Sequence, residues 1–166
     1  MKQVLVIFLV TVISACGKPI YPLPDESLMK FSIVDLVKNG GSLKKQVDDH
    51  LIVASELNRV PFVQVTAEWC QPCLDLRKAM GHELMLNAFE STYIIRVDYD
   101  HWEDELPEIG LYIGSVPVFY GLNAEGRATN YSVNGGDWEE DTPDNIAPIL
   151  RRYFLGADKI MALKSL

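Results

Sequence analysis

The sequence predicts an α/β domain, on two observations. A short β-rich run, "VPFVQVTA" (Val60–Ala67), passes directly into a stretch of helical character, "CLDLRKAMGHELMLNAF", with two cysteines at the junction. A second β-rich run, a connection, a hairpin pattern and a final helical stretch then follow in that order. At 166 residues the chain suits one domain with extensions, since domains commonly run to about 100–150 residues. Hydrophobic residues make up 48% and charged ones 23%, which argues against both wholesale disorder and a polytopic membrane protein.

The first line, "MKQVLVIFLVTVISAC", has a basic start at Lys2, an apolar run from Val4 to Ile13, and small residues at Ser14 and Ala15. That pattern is a secretory signal peptide over residues 1–15. A membrane-spanning anchor is the alternative, but a span needs roughly 20 apolar residues, and Gly17-Lys18-Pro19 closes this run early. The exit "ISAC" resembles the lipobox of bacterial lipoproteins, and the resemblance implies that Cys16 becomes an acylated mature N-terminus. An ordinary signal peptide followed by a cysteine is the other reading. Several acyl chains on one residue anchor stably, whereas one binds only marginally. Gly17, rather than Asp, after the cysteine leans towards the outer membrane by the same resemblance. Lipidating Cys16 also accounts for an odd cysteine count in an exported protein. Without residues 1–15 the chain loses one lysine and no acid, so its formal charge moves from −8 to −9. Nucleic acid is not an expected partner, because phosphate binding relies on Lys and Arg clusters.

"GKPIYPLPDES" (Gly17–Ser27) is proline-rich without apolar periodicity, and it reads as part of an extended tether, residues 16–30, before a domain over residues 31–166. "FSIVDLV" from Phe31 reads as a strand or a short helix, broken by "KNGG". Ser42 caps an amphipathic helix whose apolar face is Leu43, Val47, Leu51, Ala54 and Leu57. "TYIIRVDYD" (Thr92–Asp100) is the next strand, followed by a loop or short helix at "HWEDELPEIG". "SVPVFYGLNAEGRATNYSV" reads as a hairpin turning at "NAEG", with Gly126 able to take a left-handed position. "NGGDWEED" is an acidic, solvated loop, and its place in the order allows a part in substrate selection. "TPDNIAPILRRYF" starts a last helix with Thr142 as N-cap and Pro143 first inside. Pro148 argues against a long uninterrupted helix or moves its start later.

The stretch "AEWCQPC" (Ala67–Cys73) resembles the thioredoxin active site, in which a Trp precedes a Cys-x-Pro-Cys at the head of a helix. The resemblance runs from about Val60 to Phe154 and implies the thioredoxin fold, a central mixed β-sheet flanked by helices. "SVP" (Ser115–Pro117) stands where thioredoxins carry a cis-proline, and "NGG" where they have a glycine near the site. The implied site is Cys70 and Cys73 as the redox pair, with Trp69, Pro72, Val116, Pro117 and Glu68 in support. No cofactor is implied beyond the Cys70–Cys73 disulfide. Cysteines three apart in a first helical turn have Cβ atoms about 5–6 Å apart, so dithiol and disulfide interconvert with little movement. At an exposed helix N-terminus Cys70 would be favoured as thiolate and attack, and Cys73 would resolve the mixed disulfide. The Val116 backbone could pair with an extended substrate.

Two departures stand out. Gln64 occupies the place of the family's buried acid and carries no proton, which leaves water or Glu68 to serve Cys73. The basic residue of the next strand is Arg96, whose charge is permanent. A metal site would need more ligands than His50, His82 and His101 beside the pair, and a purely structural disulfide would close too short a loop to remove much unfolded-state entropy. The histidines read as surface or boundary residues. The expected function is a thiol–disulfide oxidoreductase, lipid-anchored in the bacterial cell envelope and facing the periplasm, more reductase or isomerase than oxidase. Its partners would be envelope proteins with thiols or disulfides, a membrane or periplasmic redox protein that supplies electrons, and the membrane itself. The alternative outside catalysis is a redox-inert adaptor on the same fold.

Overall fold

The computed structural model describes residues 19–26 and 29–164, with residues 157–164 as backbone. The expected signal peptide and Cys16 lie outside the described residues. Five strands form one sheet in the order β1-β3-β2-β4-β5, from β1 (Ser32–Asp35), β2 (Val60–Thr66), β3 (Thr92–Asp98), β4 (Val118–Leu122) and β5 (Ala128–Asn134). β1, β3 and β2 run parallel, whereas β4 and β5 run antiparallel to their neighbours. The α/β expectation is met, and "FSIVDLV" resolves as a strand.

β2 is central, and its apolar residues divide between two cores. Phe62 faces a cluster with Phe89, Phe119, Ile146, Leu150 and Phe154, while Val63 and Val65 face Leu43, Val47, Ile95, Trp102 and Ile109. Burial on both faces is why β2 reads as a near-continuous apolar run. The first core is roofed by α2 (Gln71–Ala79), α3 (Glu83–Ala88) and α5 (Pro143–Lys164), the second by α1 (Leu43–Glu56) and a 3₁₀ turn at Leu106–Ile109.

α1 starts where expected: the Ser42 hydroxyl accepts from Lys45 N–H. Its buried face is Leu43, Gln46, Val47 and Ala54, with Leu51 half-buried. Leu57, expected on that face, caps the helix C-terminus and is exposed. The buried Gln46 donates to the Val37 and Gly41 carbonyls at 2.9 Å each, which ties down the "KNGG" turn. The hairpin closes through Gly126 N–H on the Asn123 carbonyl. Gly126 has φ +68°, and a Cβ there would lie 2.7 Å from Asp48 Oδ1.

Two expectations need correcting. The helical character after the cysteines is not continuous: α2 and α3 are separated at Met80–His82. α5, by contrast, starts at Pro143, with the Thr142 carbonyl accepting from Asn145 and Ile146 N–H, and continues straight through Pro148. A proline at 148 forgoes the bond to the Asp144 carbonyl and sets its ring against that carbonyl. Both residues lie on the exposed side, where water can serve that carbonyl, and Ile146, Ala147, Leu150, Tyr153 and Phe154 hold the opposite face in the core.

Candidate active site

β2 and β3 end side by side, in register at Thr66 and Asp98. Ligand and catalytic groups in open α/β sheets gather beyond such carboxyl ends. Beyond β2 the chain turns through Ala67–Trp69, with Cys70 N–H donating to the Ala67 carbonyl, and enters α2. Cys70 is the N-cap residue of α2 in an extended conformation (φ −81°, ψ 106°), and its Sγ accepts from Cys73 N–H at 3.1 Å. Pro72 sits in the first turn, where no intrahelical donor is required. Cys70 and Cys73 form a disulfide with Cα atoms 5.2 Å apart. Each half-cystine is therefore held at a helix N-terminus, where orphan N–H groups and the positive end of the dipole favour negative charge on sulfur.

Cys70 is less open than its helix position suggested. It is only 4% exposed, against 2% for Cys73, and packs with Ala67, Tyr99 and Val116. The covering loop is the one containing Val116–Pro117, whose peptide bond is cis. The Val116 carbonyl oxygen lies 3.5 Å from Cys70 Sγ. Pro117 is held from behind by Gly135, whose N–H donates to the Pro117 carbonyl at 3.0 Å, and a Cβ at 135 would meet the proline ring at 3.3 Å. The expected glycine of "NGG" is thus beside the proline.

The remaining predicted residues divide. Trp69 does not pack inside: it is 66% exposed, and its indole N–H donates to Asp100 Oδ2 at 2.8 Å. Glu68 is exposed, with no hydrogen bond or ion pair to another described residue. Gln64 is buried on β2, opposite Phe119 of β4 and Arg96 of β3. Arg96 forms a two-pronged pair with Asp35 of β1 at 2.5 and 2.7 Å, and that guanidinium holds the Asp35 carboxyl below its ordinary range.

The histidines lie apart. The His50 ring meets the Tyr93 hydroxyl at 2.8 Å and is held below its ordinary pKa by burial, His82 caps α3 by accepting from Leu84 N–H, and His101 is exposed beside Asp98. Among the described residues no three His, Cys, Asp or Glu side chains converge as metal ligands.

Three residues near the site were missed. Tyr99 and Asp100, expected in the strand Thr92–Asp100, instead open α4 (Tyr99–Trp102), because Asp98 ends β3 and caps the helix by accepting from His101 N–H; Tyr99 packs on the disulfide and Asp100 receives Trp69. Their place after a strand parallel to β2 was the signal that could have found them. Trp138 corrects the picture of a solvated "GDWEED" loop: it is buried against the first core, with its N–H on Asp141 Oδ1 at 2.9 Å.

No protein-family model and no curated protein sequence matches the chain. Solved structures do. The disulphide isomerase from Xylella fastidiosa Temecula1 aligns at 16% identity over 72% of this chain and 94% of that one, with a TM-score of 0.52. Thioredoxin from Trypanosoma brucei brucei aligns at 20% identity over 77% and 92%, with a TM-score of 0.49. With its five-stranded mixed sheet, flanking helices and a cysteine pair closed at the head of α2, the chain has the thioredoxin fold.

Proposed function

We propose that the chain is a thiol–disulfide oxidoreductase of the bacterial cell envelope that reduces or isomerises disulfides in protein substrates. The observation that carries this reading is the Cys70–Cys73 disulfide at the head of α2, with Cys73 N–H directed at Cys70 Sγ. In the dithiol state that N–H and the helix N-terminus favour a Cys70 thiolate. The thiolate attacks one sulfur of a substrate disulfide, forming a mixed disulfide and releasing the other sulfur as thiolate, which takes up a proton. Cys73 then loses its proton and attacks Cys70 Sγ, so the substrate leaves fully reduced while Cys70–Cys73 is oxidised. Gln64 cannot accept the Cys73 proton and Glu68 points into solvent, so water receives it. The carrier of electrons is the protein's own Cys70/Cys73 dithiol, which each turnover leaves as the disulfide.

One feature supports reduction or isomerisation over oxidation: Gln71 and Pro72 add no charge that would stabilise a Cys70 thiolate further. Strong oxidants are those whose reduced form is heavily stabilised. In an oxidising compartment a reductase must be recharged, and a membrane or periplasmic redox protein fills that role. The lysine-led apolar segment ending in "ISAC" supports export and acylation at Cys16.

The test is the reduction potential of the mature chain, equilibrated across glutathione buffers and read by alkylation and mass. A midpoint near about −270 mV is the expected result and one near about −120 mV would make the protein an oxidase. A pair that never cycles would leave only a binding module.

A further inference from the structure

The end of the sheet opposite the disulfide carries a hollow of about 140 Å³. Val60 and Thr92, the first residues of β2 and β3, line it, so the length of β2, about 20 Å, stands between it and Cys70. Its floor is apolar, because Phe62, Ala88 and Phe154 are buried members of the first core. An apolar cavity of nearly that volume, about 150 Å³, binds benzene. The polar groups around the hollow divide by whether they are already used. The Thr92 hydroxyl donates to the Phe89 carbonyl at 2.7 Å, and the Glu90 carboxylate accepts from Lys30 Nζ at 2.9 Å. By contrast, the Asn87 side-chain amide, the Ser91 hydroxyl and the Arg151 guanidinium have no hydrogen-bond or ion-pair partner among the described residues. Three elements deliver these donors to one place: α3, the turn into β3, and α5. Ser91 holds a left-handed backbone, φ +68°, which a residue other than glycine adopts at a cost. Its N–H donates to the Lys30 carbonyl and its carbonyl accepts from Val60 N–H, both at 2.9 Å, so the hydroxyl is what it has left for a ligand.

We propose that the hollow binds a small monocarboxylate with a compact apolar body. The body rests on Phe62 and Phe154, and the carboxylate pairs with Arg151 while Asn87 and Ser91 donate to it. A few placed polar groups around an apolar floor are the ordinary makeup of a small-molecule site. The site lies outside the exchange reaction and does not depend on it. Charge selects the sign of the ligand. An entering carboxylate meets a guanidinium with no counter-ion among the described residues, and the planar fork of that group matches a carboxylate with two parallel hydrogen bonds. The carboxylate of Glu90 is offset by Lys30, so an ammonium would find its one anion already paired. A phosphate would leave the apolar floor unused. Size sets the body at one ring or a short branched chain. Arg151 is exposed, so its ion pair adds modestly and burial of the apolar body carries most of the affinity.

The probe is 4-fluorophenylacetate, titrated into the mature chain and followed by fluorine and amide magnetic resonance. Saturable binding is expected with a Kd of about 1 mM, a modest yield for a ligand of this size. The largest amide shifts should fall at Val60, at residues 88–92 and at residues 151–155, with none at Cys70 or Cys73. The matching amine, 2-(4-fluorophenyl)ethylamine, has the same ring and the opposite charge, and it should bind at least about five-fold more weakly. Arg151→Ala should weaken the acid about five-fold without weakening the amine, and Arg151→Lys should keep most of the affinity for the acid. Thermal unfolding should be the same in both variants and the native chain, since the residue is exposed. No saturation up to about 10 mM, shifts centred elsewhere, or equal affinity for acid and amine would overturn the site. An Arg151→Ala chain that binds the acid as the native chain does would overturn it too. None of these readings requires the cysteine pair to cycle, so failure here is distinct from failure of the exchange reaction.

Discussion

Cys70 and Cys73 divide the exchange reaction, and their substitutions should separate its halves. Cys73→Ser keeps the attacking sulfur and removes the resolving one, so a mixed disulfide with substrate should accumulate as a mass adduct. Cys70→Ser should give no adduct and no turnover. Tyr153 is the buried phenol to watch for stability. Its hydroxyl donates to the Tyr131 carbonyl at 2.8 Å and lies 3.2 Å from that of Phe119, and burial, with Tyr131 nearby, pushes its pKa well above the ordinary 10. The native state keeps a proton that the unfolded chain releases. Stability from this group is therefore complete below pH about 10 and falls as pH rises further, by at most about 1.4 kcal/mol per pH unit. Urea unfolding across that range should show a shallower decline for Tyr153→Phe, which at neutral pH should itself cost about 1 kcal/mol in lost hydrogen bonding. Site residues with a local motif were legible in advance: the cysteines, Pro72, and by resemblance Val116 and Pro117. Asp100 and Tyr99 were not, because their contacts with Trp69 and the disulfide come from the register between β2 and β3, which no short segment encodes.

The elements were legible where local chemistry decides them, as with the Ser42 cap and the Gly126 turn. They were misjudged where tertiary packing overrides a local rule. Pro148 is the clearest case. Its substitution by alanine should restore a donor to the Asp144 carbonyl and raise stability by about 1 kcal/mol or more, since proline is roughly 3 kcal/mol worse than alanine in a helix interior. Thermal unfolding of Pro148→Ala checks this, and a lowered midpoint would show that the ring itself packs usefully. The break at Met80–His82 is the converse: the sequence reads as helical across it, yet Tyr21 donates to the Lys78 carbonyl and accepts from Gly81 N–H there.

Considered entire, the fold was readable because strand order and the Cys-x-Pro-Cys position agree, whereas the two-sided core around β2 had to be seen. Its first half is a set of aromatic rings, with Phe154 within 4.7 to 5.6 Å of Phe62, Phe89 and Phe119 by centroid. Phe154→Ala should destabilise the domain by about 3–5 kcal/mol, measured by urea unfolding, with the reduction potential of any folded fraction unchanged because the cavity lies remote from α2's first turn.

The three indoles occupy three unlike surroundings. Trp102 is fully enclosed, Trp138 is enclosed with its N–H bonded, and Trp69 stands in solvent one residue before the disulfide. A disulfide quenches a neighbouring excited indole by accepting an electron, and a pair of thiols does so less. Opening and closing Cys70–Cys73 should therefore change the red, solvent-relaxed part of the emission and leave the blue part from the enclosed rings nearly constant. The chain carries an optical gauge of its own oxidation state, readable without any added dye.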